Sequence, residues 1–314
     1  MLYKIASLLQ RSFEVLRQEG LHGFLQKLYR RMKPEGGSNT SAVPETPSLI
    51  NEAQEIAFGG ERVTHLYPND LYYAHLSIYW FASQFVKGKV VLDAGCGDGY
   101  GTHYLAEHGA KRIVGIDISQ IAINACKKYF TRENLEYEVV DLARIDKVNT
   151  LAPHSVDLVF SSNALEHVAP VKHFFDRCHE FLTPEGLFIM AVPPVVDQVS
   201  RDANISNPYH LNIWTPTQWQ YALSLYFDKI KCYAHRLRSP NTKLDFMNLP
   251  EKTSVKEDDF EFKQVPIKYY YDAPRASLTI LFLASKPKSV SALPKGIDEI
   301  PMVDDSVTRE LVLS

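Results

Sequence analysis

The sequence predicts an α/β fold, a mostly parallel sheet with helices on both faces, and three observations carry this reading. The run Val90-Val91-Leu92-Asp93-Ala94-Gly95-Cys96-Gly97-Asp98-Gly99-Tyr100-Gly101 reads as a buried strand, a glycine-rich turn and the start of a helix. Apolar, β-type runs then alternate with helical runs as far as residue 192, the order that gives parallel strands joined by crossover helices. Two later β-rich stretches, 229–235 and 277–284, are placed to add an antiparallel pair at one edge.

The 314-residue chain is long enough for one domain of ordinary size plus extensions. Residues 1–33 read as a basic amphipathic helical extension. Leu2, Ile5, Leu9, Phe13 and Leu16 share one face, Gly20 and Gly23 interrupt, and a second short helical run resumes at Leu21. A Pro/Gly/Ser-rich linker, 34–48, follows. The main domain is expected over 50–285, with a helix over 76–86 before the first strand. Its parallel strands are expected at 90–94, 112–117, 135–140, 156–161 and 187–192, with helices around 102–108, 119–129 and 171–182. Thr215, Pro216 and Gln218 fit an N-cap, first-turn proline and capping box, which starts another helix. The mostly polar stretch 236–276 reads as an insertion suited to a substrate lid, and 286–314 as an irregular tail.

A formal net charge of −3 gives no case for general nucleic-acid binding. The four cysteines, Cys96, Cys126, Cys178 and Cys232, are scattered without a C-x-x-C, as in reduced cytoplasmic proteins rather than disulfide or zinc frameworks. No apolar run reaches the ~18 residues that suggest a membrane span, and the N-terminus lacks a signal-peptide pattern.

The glycine loop narrows the ligand. A dinucleotide fingerprint G-x-G-x-x-G would need glycine where Tyr100 or Thr102 stands, and a P-loop would need Gly-Lys-Ser/Thr. Asp93 at the strand end would repel a pyrophosphate and suits a cationic group such as an amino-acid ammonium. The pattern Asp-x-Gly-x-Gly-x-Gly resembles the first motif of class I S-adenosylmethionine (SAM) dependent methyltransferases. Three further strand ends match that family in order: Val-Gly-Ile-Asp117-Ile118-Ser, Val-Val140-Asp141-Leu142 and Phe160-Ser-Ser162-Asn163-Ala-Leu-Glu166-His167. The turn Leu182-Thr-Pro-Glu-Gly186-Leu follows.

The resemblance covers residues 88–195 and implies a Rossmann-like sheet with its antiparallel pair at the edge. It implies SAM as cofactor, held by Asp93, Gly95, Gly97, Asp117, Ile118, Asp141, Leu142 and Ser162. A carboxylate at Asp117 can accept both ribose hydroxyl protons, and an acceptor at Asp141 can take an adenine N–H. An Asp at a strand end is also a common helix N-cap, so Asp141 carries two readings.

Methyl transfer to a hydroxyl calls for a general base. His167, after the fourth strand, and His210, in Asn207-Pro-Tyr-His210, are the catalytic candidates. Each also has a bland reading, as a capping, packing or solvated loop histidine. Some relatives hold a divalent ion with Glu-x-x-Glu-His after the fourth strand. Asn163 replaces the first carboxylate here, so no metal is expected.

The elements Gly60-Glu61-Arg62, His75, and Phe85-Val86-Lys87-Gly88-Lys89 before the first strand, with Asn-Pro-Tyr-His later, are similar to methyltransferases found with bacterial surface-polysaccharide glycosyltransferases. This likeness implies a sugar-hydroxyl or glycan acceptor, in a cytoplasmic enzyme whose residues 1–33 touch the inner membrane surface or a glycosyltransferase complex. Ile78-Tyr79 stands where that group has Arg-Tyr. The alternatives are a quinone, lipid or metabolite acceptor, and a non-catalytic SAM-binding scaffold.

Overall fold

The computed structural model describes residues 62–300, apart from 149, 247, 249, 274–275 and 295–298. The expected basic extension, the linker and the end of the tail lie outside the described residues.

One eight-stranded sheet organises the chain, in the order β3-β2-β1-β4-β5-β8-β6-β7. Strands β1 (Val90–Ala94), β2 (Arg112–Asp117), β3 (Leu135–Val139), β4 (Val156–Ser162) and β5 (Leu182–Val192) are parallel. Strands β6 (Phe227–Leu237), β7 (Phe260–Val265) and β8 (Thr279–Pro287) run antiparallel at the far edge. The expected antiparallel pair is therefore a group of three. Strand β7 lies inside the stretch expected to be an insertion, where only the four residues Phe260-Glu261-Phe262-Lys263 alternate apolar and polar before Gln264-Val265 breaks the phase.

Helix α1 (Asp70–Ser83) opens the described domain, and its N-cap Asn69 accepts the Tyr72 N–H. Helices α2 (Tyr100–Glu107), α3 (Gln120–Tyr129) and α4 (Val171–Phe181) follow β1, β2 and β4 as crossovers. After β5 come α5 (Gln198–Ile205) and α6 (Pro216–Ser224), the latter with the expected Thr215–Gln218 capping box. A short helix α7 (Tyr269–Asp272) precedes β8.

The sheet is apolar on both faces. One core cluster joins Leu92, Val114, Val159, Phe188 and Phe282 to Phe174, Phe175 and Trp219 from α4 and α6. The other joins Val91, Ile113, Phe160 and Ile189 to Ile78, Tyr79 and Phe81 of α1 and Leu105 of α2. Burial on both sides explains why β1, β2 and β4 read as continuous apolar runs. The described part of 236–276 packs against α1: Asp70 accepts the Asp245 N–H, and Asn69 donates to the Phe246 carbonyl. All four cysteines are buried and free. No helix among the described residues is long and apolar enough to cross a membrane.

Strand order reverses between β1 and β4, and the crevice outside the carboxyl ends of the strands at such a point is where open α/β sheets take ligands.

Candidate active site

A cavity of about 380 Å³ opens at that crevice. The loop after β1 forms its floor. Gly95, Gly97 and Gly99 all have positive φ, +91°, +57° and +88°. The two N–H groups of Gly95 and Cys96 both donate to the Ile116 carbonyl, which ties the loop to β2. A Cβ on Gly95 would sit 2.5 Å from the Ala164 Cβ, so this loop and the loop after β4 touch closely. At Gly97 nothing lies within 4 Å of that position. A side chain there would project into the space left for a ligand.

Seven of the eight residues expected to hold the cofactor line this cavity: Gly95, Gly97, Asp117, Ile118, Asp141, Leu142 and Ser162. Asp117 ends β2. Its Oδ1 accepts from the Ser119 N–H at 2.8 Å and from Arg62 Nη2 at 2.8 Å, and its Oδ2 accepts from the Gly97 N–H at 3.1 Å. A carboxylate offers about four lone-pair sites, so the one that remains can meet a single ribose hydroxyl in this arrangement. Ile118 is 60% exposed and presents an apolar face beside Asp117. Asp141 takes the N-cap reading and also borders the cavity. Its Oδ1 accepts the Ala143 N–H.

Asp93 differs from the sequence expectation. It is fully buried, lies outside the cavity lining, and accepts from the Thr102 hydroxyl at 2.6 Å. Burial pushes its carboxyl up from 3.8 to about 7, against the opposing effect of hydrogen bonds from Thr102 and Tyr79. Its side chain ties β1 to α2 beneath the loop instead of meeting a ligand ammonium. The strand-end position was legible, but the inward direction of the side chain was not.

His167 lines the cavity from a 3₁₀ turn, Leu165–His167. Its Nδ1 lies 2.9 Å from the Tyr209 carbonyl. An Nδ1–H donated there makes Nε2 the basic nitrogen of the neutral ring. His210 stands behind it, outside the cavity lining, with ring centroids 4.9 Å apart. Its Nδ1 meets the Asn204 Oδ1 at 2.7 Å. The loop 207–212 is locked to the 3₁₀ turn: the Glu166 carbonyl accepts the Leu211 and Asn212 N–H groups, and Asn212 Nδ2 donates to the Leu165 and Val168 carbonyls. Ligand atoms of Glu166, His167 and His210 lie within 4.8 Å of one another, a His₂–carboxylate set of the kind that binds divalent transition metals.

The opposite wall comes from upstream. Arg62, His75 and Tyr79 line the cavity, joined by Tyr100 from α2. Tyr79 is also a core residue: its ring packs 4.7 Å from Phe160, and a Cβ at Gly101 would fall 2.2 Å from it. Burial holds the hydroxyls of Tyr79 and Tyr100 well above the usual tyrosine range, so both stay protonated. Gly101 was the available signal for this wall, since a glycine in an α2 helix turn marks close approach by another element. No described residue of 236–276 lines the cavity.

Comparison with known proteins agrees with this geometry. Residues 92–190 match the methyltransferase domain family. Over those residues the chain carries a SAM-dependent methyltransferase domain. A protein of Mycolicibacterium smegmatis, named "Probable S-adenosylmethionine-dependent methyltransferase", is 28% identical over 137 residues, 43% of this chain and 50% of that protein. The ubiquinone biosynthesis O-methyltransferase of Neisseria meningitidis serogroup C is 30% identical over 105 residues, 32% of this chain and 43% of the relative. The chain thus spans half or less of the length of these relatives.

Among solved structures, a methyltransferase in complex with the Haloferax volcanii Trm112 methyltransferase activator superposes with a TM-score of 0.50 at 20% identity. That match covers 68% of this chain and 90% of the other. A SAM-dependent methyltransferase of Thermotoga maritima gives 0.51 at 11% identity, over 76% and 97%. At these identities the methyltransferase domain shares its fold with them.

The residues present fit SAM. The cradle is open at Gly97, the Asp117 carboxylate lines the cavity with an acceptor site to spare, Ile118 offers an apolar face, and Asp141 stands at the third strand end.

Proposed function

We propose that this protein transfers a methyl group from SAM to a hydroxyl of a sugar, glycan or related small molecule. The observation that carries the reading is His167: a cavity-lining histidine on a rigid turn, oriented through Nδ1, on the same wall as Ser162 and Asn163. Bound SAM supplies a methyl already activated by its sulfonium. The chain then has three tasks. Gly95, Gly97 and Asp117 fix the donor, and the locked 163–168 and 207–212 segments hold the acceptor side in line with it. His167 Nε2 takes the hydroxyl proton as the new C–O bond forms. Tyr79 and Tyr100 close the opposite wall and exclude water.

The glycan acceptor rests on the upstream Gly-Glu-Arg and Asn-Pro-Tyr-His resemblance. A second reading, a quinone or lipid-like acceptor, has its own support. Tyr209 and Leu211 at the cavity wall are 48% and 58% exposed and, with Ile118, give the mouth an apolar rim. The ubiquinone O-methyltransferase relatives point the same way. Association of residues 1–33 with an inner membrane surface or a glycosyltransferase complex belongs to the first reading.

Titration of the purified chain with S-adenosylhomocysteine (SAH) tests the cofactor. We expect micromolar binding that is lost in Asp117→Ala; unchanged affinity in that variant would remove the ribose assignment. Transfer from labelled SAM to panels of nucleotide-sugars, glycans and phenolic quinone precursors then separates the two acceptor readings. No transfer to any panel, with SAH bound, would leave the non-catalytic scaffold as the better account.

A further inference from the structure

Strand β7 ends the sheet, and among the described residues β6 is its only strand partner. It is six residues long, about 20 Å, and every other residue turns its N–H and C=O outward. Such an edge is a template for another strand. Its own side chains say which strand fits.

Glu261 and Lys263 share one face of β7, and Phe260 and Phe262 share the other. Glu261 Oε1 accepts from Arg236 Nε on β6 at 2.6 Å, and a carboxylate with about four lone-pair sites can meet a second cation. Lys263 is exposed. Phe262 stacks on His235 with ring centroids 4.7 Å apart and stays half-buried. The flanks of the strand carry opposite charge. Before it, the 3₁₀ turn Glu257–Asp259 is three acids in a row. At its other end lies a groove of about 600 Å³, with Val265 and Ile267 in its lining beside Lys231 and Lys268.

We propose that a second copy of this chain pairs antiparallel along the outer edge of β7, about a two-fold axis at Phe262, so that two domains share one continuous sheet. With Phe262 at the centre, Glu261 of each copy faces Lys263 of the other, and the two Phe262 rings meet. The acidic turn of each copy comes beside the basic groove of the other. Moving the centre one residue either way sets Glu261 opposite Glu261 or Lys263 opposite Lys263, and like charges directly opposite destabilise a pair. A lone lysine in an edge strand discourages pairing. The glutamate two residues before it makes this edge selective for its own copy in one register. The contact is isologous, uses the β7 edge of both copies and so closes at two. Three strands, β5, β8 and β6, separate β7 from the crevice between β1 and β4, so the pairing is independent of the acceptor.

Sedimentation velocity of the full-length chain, from about 1 to about 100 µM, tests the pairing. Wild type is expected to pass from monomer to dimer across that range. Lys263→Glu turns two attractive cross-strand pairs into two repulsive ones and should weaken the dimer at least ~10-fold. Glu261→Lys should do the same. An equimolar mixture of the two variants should dimerise again, because both pairs between them are opposite in sign. Circular dichroism shows whether each variant is folded. Hydrogen exchange gives a second readout that needs no variant at Glu261, whose contact with Arg236 supports the fold. The amides of 260–265 should slow as wild-type concentration rises and stay fast in Lys263→Glu. Wild type that remains monomeric at about 100 µM would overturn the proposal. So would a dimer indifferent to Lys263→Glu, or a mixture of folded variants that stays monomeric. Edge amides already slow in the wild-type monomer would overturn it too, and would give the edge to another segment of the same chain.

Discussion

Two glycines in one loop are expected to fail differently when given a methyl group. Gly95 and Gly97 both have positive φ, +91° and +57°, so Ala at either costs about 1–2 kcal/mol of backbone strain. Their surroundings differ. At Gly95 the new Cβ would fall 2.5 Å from the Ala164 Cβ, far inside the ~3.5–4 Å of normal carbon contact. Relief requires the loops after β1 and β4 to part, and overpacking of this kind adds about 1–3 kcal/mol. At Gly97 the Cβ meets no protein atom. Gly95→Ala should therefore lose about 2–5 kcal/mol of stability, a fall in Tm of roughly 5–20 °C for a domain of this size. Gly97→Ala should lose about 1–2 kcal/mol and stay folded, yet bind SAH at least tenfold more weakly because its methyl occupies ligand space. Thermal unfolding without ligand and SAH titration, run on both variants, read the two effects separately. Equal destabilisation, or wild-type SAH affinity in Gly97→Ala, would refute the assignment of Gly97 to the ligand face and Gly95 to the protein face.

Other predictions follow from the same geometry. Because burial raises the Asp93 carboxyl from 3.8 to about 7, the folded state holds its proton more tightly than the unfolded chain. Its stabilising contribution is present below pH ~4 and is lost as pH rises toward and through 7, by roughly 4 kcal/mol at most. Asp93→Asn, which keeps an acceptor for Thr102, should gain stability relative to wild type between pH 4 and 8. Urea midpoints at several pH values check this, and a difference that stays flat would contradict the burial argument. His167→Gln should bind SAH normally and lose about 10²–10⁴-fold in turnover; a fall in SAH affinity instead would place His167 with the donor. Chelation is expected to leave methyl transfer intact, since Asn163 stands where a second carboxylate would be needed for a hard cation. Transfer lost with chelator and restored by one divalent ion would assign Glu166, His167 and His210 to a metal.

The sheet and much of the lining of the cavity were legible because their signals are local. A strand, a glycine turn and a helix sit within twelve consecutive residues, and Asp117, Asp141 and Ser162 each end an apolar run. Two kinds of fact escaped. The first is side-chain direction: Asp93 has the right place at a strand end but points into the core, whereas Asp117 points into the cavity. Period-two alternation cannot separate them in strands that are buried on both faces. The second is long-range closure. Arg62 meets Asp117 across 55 residues, and Tyr209 orients His167 across 42. These partners lie in irregular segments with no periodicity to announce them, and they complete a site whose floor the sequence already described. The division has a physical basis. The parallel sheet fixes where a donor can lie, by strand order and loop length alone, so its residues recur at predictable places in the chain. The segment 62–69 and the loop 207–212 are held by individual hydrogen bonds to that frame. Their residues can therefore change while the frame stays intact, and acceptor choice is expected to reside in them.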